Sequence, residues 1–196
     1  MNQPQEQTAT SPPVPGQVIV LTGPPGAGKS TVARLLADRL SPSVHVHADD
    51  FWHFIKQGWI APYLPQAHQQ NQTVMHVVAH AAFGYAAGGY QVICDGIVGP
   101  WFIDVFRNAG QTHGIPLHYV VLRPDETTTL HRVTRRGDDT LTDLDPICSL
   151  HRQFTELGNL ERHALDSTQL NPQTTADAVV HGLARGIYLL EPPPHL

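Results

Sequence analysis

Nine consecutive residues, 23–31, read Gly-Pro-Pro-Gly-Ala-Gly-Lys-Ser-Thr and limit the chain more than any other feature. The spacing Gly23-x-x-x-x-Gly28-Lys29-Ser30 is that of a phosphate-binding loop. Gly23, Gly26 and Gly28 let the backbone turn tightly and bring its N–H groups close to phosphate oxygens. Pro24, Pro25, Ala27 and Thr31 complete the cradle. Lys29 supplies a cation to the β- and γ-phosphates, and the Ser30 hydroxyl can ligate Mg²⁺. Such a loop works only between a strand and the N-terminus of a helix, where the helix end favours an anion. Both flanks fit. Gln17-Val-Ile-Val-Leu-Thr22 is a β-branched run suited to a buried parallel strand. After the loop, Val32, Leu35, Leu36 and Leu40 recur at helical spacing.

The same alternation continues along the chain. Strands are expected at 17–22, 43–48, 90–94, 116–122 and 163–165. Helices are expected at 29–40, 50–57, 67–87, 101–113, 125–136, 144–157 and from Pro172 through Ile187. In the long helix, Val74, Val77, Val78, Ala81 and Tyr85 are expected to share one face, and Gly88-Gly89 should stop it. Strands alternating with helices predict an α/β fold with a parallel sheet covered on both faces. Ligands then collect at the carboxyl ends of the strands. Residues 1–16 are polar and Pro-rich and are expected to form a disordered leader, and 191–196 a flexible tail. Residues 17–190 form the single domain.

Composition narrows the field. Of 196 residues, 41% are apolar and the net charge is −5, as in an ordinary globular protein. No apolar run is long enough to span a membrane, and the polar Met1–Thr10 does not read as a secretory signal. Two cysteines do not make a disulfide framework. A cytoplasmic protein with reduced thiols is expected, either a monomer or a weak homodimer. Lys and Arg total 12 without a basic run, so no nucleic-acid partner is implied. Among thirteen histidines, His45 and His47 alternate on one expected strand. No carboxylate or cysteine accompanies them at zinc spacing, so a histidine metal site is not the favoured expectation.

Phosphoryl transfer needs positioning, charge neutralisation and a group that receives the acceptor's proton. Asp49 and Asp50 directly follow strand two. Asp49 is taken as the base and Asp50 as the cap of the next helix, the reverse assignment being the alternative. Asp95 ends the run Val92-Ile93-Cys94, where a carboxylate can hold Mg²⁺ or, with Gly96, meet substrate. Arg132, Arg135 and Arg136 crowd one expected helix that runs into Gly137. Arg132 and Arg136 share a face and can form a lid, spanning about 132–152, that closes cations over the phosphates.

Taken together, these pieces resemble the small P-loop kinases that include shikimate kinase, gluconate kinase and chloramphenicol phosphotransferase, of AAA_33 type. The resemblance spans about 17–187. It rests on Gly23–Thr31, His47-Ala-Asp-Asp50, Val92-Ile-Cys-Asp95-Gly96, the Arg132–Gly137 pattern and Leu165-Asp-Ser-Thr168. The chain is also similar to a bacterial set with His-x-Asp-Asp-x-Trp after strand two and Leu-His-x-Gln-Phe after the lid. The resemblance implies a three-layer P-loop fold with a five-stranded parallel sheet ordered 2-3-1-4-5 and a helical lid. It also implies ATP and Mg²⁺ as cofactors, Asp49 facing the acceptor hydroxyl, Arg136 closing on ATP, and Ser167 and Thr168 beside adenine. Two departures argue against shikimate as the acceptor. His47 replaces the first aspartate of the Asp-x-Asp pattern, and Asp95-Gly96-Ile97 replaces a triple glycine.

Residues 41–100 should build the acceptor pocket, and they hold one basic residue, Lys56. A nucleoside monophosphate would call for several. The segment is instead rich in Phe51, Trp52, His53, Trp59, Tyr63 and His68, with Trp52 an expected acceptor contact. That suits a neutral or weakly charged small molecule, a metabolite or natural product with a hydroxyl. The expected activity is therefore ATP-dependent phosphorylation of such an alcohol. The alternatives are a nucleotide-binding NTPase switch, for which no guanine signature is visible, and a toxin-like sugar-nucleotide kinase.

Overall fold

The computed structural model describes residues 16–134 and 145–191. Most of the expected leader, residues 192–196 of the tail, and Arg135, Arg136 and Gly137 of the lid lie outside the described residues.

Five parallel strands form one sheet in the order β2-β3-β1-β4-β5, the order the resemblance implies. They are β1 (Gln17–Thr22), β2 (Ser43–His47), β3 (Gln91–Asp95), β4 (Leu117–Leu122) and β5 (Ala164–Leu165). The helices are α1 (Lys29–Arg39), α2 (Asp50–His53), α3 (His68–Ala87), α4 (Ile103–His113), α5 (Glu126–Thr134), α6 (Asp145–Gln153) and α7 (Pro172–Ala184). β1 lies at the centre, and its residues Val18–Leu21 are fully buried. Because side chains alternate along a strand, β1 feeds two separate cores. Val18 and Val20 pack with α3 and α4, whereas Ile19 and Leu21 pack with α1 and α7. This double burial is why the strand reads as an unbroken apolar run.

Some expectations shift. The buried face of α3 is Val74, Met75, Val78, Ala79, Ala82, Phe83 and Ala86, while Val77 and Tyr85 are exposed. The stripe is turned because α3 packs on both α4 and the sheet, so small alanines rather than Tyr85 fit the close approach. α2 is a single turn instead of the expected eight residues. α7 ends at Ala184, and the chain then returns to the sheet, where Leu189 bridges His118 antiparallel. Both cysteines are free. Among the described residues, no helix is long and apolar enough to cross a membrane.

β3 and β4 flank β1 on opposite sides. The connections therefore diverge at the carboxyl end of β1 and open a crevice there. The phosphate loop starts from that point.

Candidate active site

The loop leaves β1 at Gly23, whose φ is 142°. A Cβ there would stand 2.1 Å from the Leu122 carbonyl oxygen, so only glycine permits this exit between β1 and β4. Pro25 and Gly26 form a turn closed by the Ala27 N–H on the Pro24 carbonyl at 3.2 Å. Lys29 curls back across the loop, and its Nζ donates to the Gly23 and Pro24 carbonyls at 3.0 Å each. Gly28 is the N-cap of α1 and offers no side-chain acceptor. The first-turn amides of α1 therefore face the crevice with the positive end of the helix dipole behind them.

Asp95 ties the loop to the neighbouring strands. The register pairs Leu21 with Asp95 and His47 with Asp95. Ile93 packs on the α1 side of the sheet, so Asp95, two residues on, points to the same side. There Ser30 Oγ donates to Asp95 Oδ2 at 2.6 Å. Asp95 Oδ1 meets His45 Nε2 at 2.6 Å and His47 Nδ1 at 3.0 Å. The carboxylate is fully buried. Burial pushes its pKa up, but the hydrogen bonds from His45, Ser30 and His47 outweigh burial and hold it at about 2. For His47, burial works downward. Its bond to Asp95 and the charges of Asp95, Asp49 and Asp50 win, and the imidazole is raised above its usual value.

These contacts correct the expectation that no carboxylate accompanies His45 and His47. The partner is about fifty residues away in sequence and arrives through strand register, which local spacing cannot display.

Asp49 and Asp50 are both exposed at the tip of β2. Asp49, not Asp50, occupies the N-cap of α2, and it makes no side-chain capping bond. Asp50 is instead the first residue of α2, the position at which the helix is expected to begin, and the cap position falls to Asp49. Gly96 approaches this tip closely. A Cβ on it would lie 2.7 Å from Ala48 Cβ and 3.8 Å from Asp49 Oδ1. Trp52 belongs to the core, and its indole N–H is already committed to Asn71 Oδ1 at 3.0 Å. Instead, Phe54, Trp59 and Tyr63 stand exposed along the following loop. Asn71 and Gln70 of α3 hold that loop through Pro62 and Ile60.

On the other side of the phosphate loop lies a cavity of about 380 Å³. Gly26, Ala27, Gly28 and Thr31 line it together with His131 and Arg132 of α5 and Leu170, Asn171, Pro172 and Thr175 of the α7 approach. Ser167 and Thr168 are not among its lining residues. Ser167 is buried, and its carbonyl accepts the Leu170 N–H at 3.3 Å. Thr168 Oγ1 donates to Asp166 at 2.6 Å and accepts the Asp125 N–H at 2.9 Å. These two residues shape the turn that delivers Leu170 to the cavity. The sequence does not point to Leu170 or Pro172 as wall residues, and Pro172 reads there only as the start of the last helix.

Loop, central strand and carboxylate together define a P-loop NTPase of the three-layer, kinase-like class. The AAA_33 family, described as an AAA domain, matches residues 18–156, and the chain belongs to that family. No curated protein matches the chain. Solved structures share the fold. A sugar kinase from Janibacter sp. HTCC2649 is 18% identical, with a TM-score of 0.66 over 87% of this chain and 95% of that one. The Mycobacterium tuberculosis APS kinase in complex with AMPPNP and APS is 19% identical, with a TM-score of 0.65 over 88% and 99%. Shikimate kinase from Acinetobacter baumannii, in complex with shikimate, is 21% identical, with a TM-score of 0.62 over 87% and 94%.

Proposed function

We propose that the protein is an ATP-dependent kinase that transfers a γ-phosphoryl group to a hydroxyl of a small, non-nucleotide molecule. The observation that carries this reading is the 2.6 Å bond from Ser30 Oγ to Asp95 Oδ2. It joins the end of the phosphate loop to a buried carboxylate at the tip of β3. Because the Ser30 hydroxyl donates its hydrogen bond to Asp95, its oxygen lone pairs remain for a cation, and Ser30 and Asp95 would hold Mg²⁺. Bound there, the ion would neutralise phosphate charge.

The remaining roles fall to the chain itself. The loop amides and Lys29 bind and orient the phosphates, and Arg132 borders the nucleotide cavity. Arg136, outside the described residues, keeps its role as the lid cation that stabilises the transferring charge. Asp49 accepts the acceptor's hydroxyl proton on a carboxylate oxygen as the alcohol oxygen bonds to the γ-phosphorus. The bond to the β,γ-bridging oxygen breaks, and ADP leaves with that oxygen. A neutral or weakly charged acceptor is supported by the scarcity of cations between 41 and 100 and by the exposed Phe54, Trp59 and Tyr63. A sugar kinase and a shikimate kinase in complex with shikimate share the fold, which supports a small hydroxylated acceptor.

The test is acceptor-dependent ADP release across a panel of sugars, polyols and hydroxylated natural products, run beside Lys29→Ala. A folded Lys29→Ala protein should lose roughly 10²–10³-fold or more of the turnover. Undiminished acceptor-dependent turnover in that variant would overturn the reading.

A further inference from the structure

We propose that His45, His47 and Asp95 form a binding site for one borderline transition-metal ion of the Zn²⁺ or Co²⁺ type, and that it fills without nucleotide. The argument starts from register. His45 and His47 are two apart on β2, so both imidazoles project from one face of the sheet. β3 pairs with β2 so that His47 stands opposite Asp95. Two rings and a carboxylate are thereby brought to one point by three backbone positions on adjacent strands, a rigid foundation for a ligand set.

The convergence is close. His45 uses Nε2 and His47 uses Nδ1, and both aim at the same oxygen, Asp95 Oδ1, at 2.6 and 3.0 Å. The three ligand atoms lie within 4.8 Å of one another. The other oxygen, Oδ2, is occupied by the Ser30 hydroxyl. That bond fixes the carboxylate's orientation, as an outer-shell partner does for a metal ligand. Asp95 is buried, whereas the two histidine side chains are 24% and 34% exposed. An ion could thus enter from solvent and keep open positions for water or phosphate oxygens.

The donor set decides the ion. Mg²⁺ and Ca²⁺ take oxygen ligands, while two imidazoles with one carboxylate suit Zn²⁺, Co²⁺ and their neighbours. Ligation needs neutral rings. Each ring would move its proton to its other nitrogen, Nδ1 in His45 and Nε2 in His47, and the ion would replace the two N–H···Oδ1 bonds. The negative charges of Asp49 and Asp50 close by favour a cation.

The experiment titrates the nucleotide-free protein with Zn²⁺ by calorimetry and with Co²⁺ by visible absorption, using Mg²⁺ as the contrasting ion. His76 and His80 are exposed one helical turn apart on α3 and could bind metal independently, so the measurements use a His76→Ala/His80→Ala background. The expected result is one ion per chain, d–d bands from bound Co²⁺, and no matching Mg²⁺ heat. His45→Asn or His47→Asn should weaken Zn²⁺ binding on the order of a hundredfold, the upper end of what even an outer-shell loss costs. Absence of saturable Zn²⁺ binding, or unchanged binding in folded variants, would overturn the site. If either variant does not fold, long-range ¹H–¹⁵N spectra of the background protein decide. Two imidazoles losing their Asp95-directed ring N–H signals on Zn²⁺ addition support the site, and no change refutes it. None of these readouts needs kinase turnover, so a missing acceptor leaves this test intact.

Discussion

The phosphate loop and the tips of β2 and β3 share one edge of the sheet but are held in place by different means. The loop is local: strand, turn and helix follow one another within residues 17–39, and Lys29 bonds to carbonyls five and six residues away. The opposite side is assembled from afar. Asp95 meets Ser30 and two histidines that lie 48 to 65 residues away in sequence, and the connection between α2 and α3, which carries exposed aromatics, completes it. A local site tolerates change in the surrounding fold. An assembled one depends on register, so a change at the β2 tip should injure the acceptor side and spare nucleotide binding.

The largest separation of the two regions is expected from Asp49→Asn. It keeps size and hydrogen bonding but loses basicity. Phosphoryl transfer should fall by roughly a hundredfold or more, while nucleotide affinity measured by calorimetry stays the same. Near-normal transfer would move the base to Asp50 or Asp95 and erase the distinction between the two regions.

Asp95→Ala should instead break both regions at once. It leaves Ser30, His45 and His47 without their common acceptor. With the histidines partly exposed, urea unfolding should show a loss of about 2–3 kcal/mol. A variant as stable as the parent would mean that the carboxylate ties nothing together.

Gly96→Ala is a milder probe of the assembled side. The added methyl would press on Ala48 at 2.7 Å and push the β2 tip, with Asp49, away from β3. Overpacking of this kind costs about 1–3 kcal/mol. Acceptor KM should rise several-fold with ATP binding unchanged. An equal effect on both substrates would show that the two regions move as one.

The smallest effect expected is on pH dependence, and it lies away from both regions. His163 is buried under β4, with Nδ1 3.0 Å from the Tyr119 carbonyl and Nε2 accepting from Arg162 Nε at 3.2 Å. Burial, with Arg162 and Arg107 close by, lowers its pKa. The folded protein therefore keeps His163 neutral where the unfolded chain begins to take up a proton, near pH 6.5. Stability contributed by this group is present above that pH and declines as pH falls below it. His163→Gln should flatten that part of the stability-versus-pH curve relative to the parent. Parallel curves would deny the burial effect.

The residues 17–40 were legible because their signals are local: β-branched run, glycine spacing and helical period lie in one stretch. The alternation of strands and helices was legible for the same reason, and it carried the sheet's parallel character with it. Asp95 was readable as the end of a strand, and Asp49 as the start of a turn. Only the tertiary structure decided what each touches. Register placed Asp95 between Ser30 and the two histidines, and no spacing along the chain encodes a neighbour on another strand. Packing decided the fate of Trp52, which the core took together with its N–H partner Asn71, and it turned α3 so that alanines face the sheet while Tyr85 faces water. It also brought Leu170 and Pro172, and not Ser167 and Thr168, to the wall of the cavity beside the phosphate loop, because a turn two residues long moves which side chains reach a wall. Local chemistry is written in sequence order; contact between distant elements exists only once their apolar faces have been buried against one another.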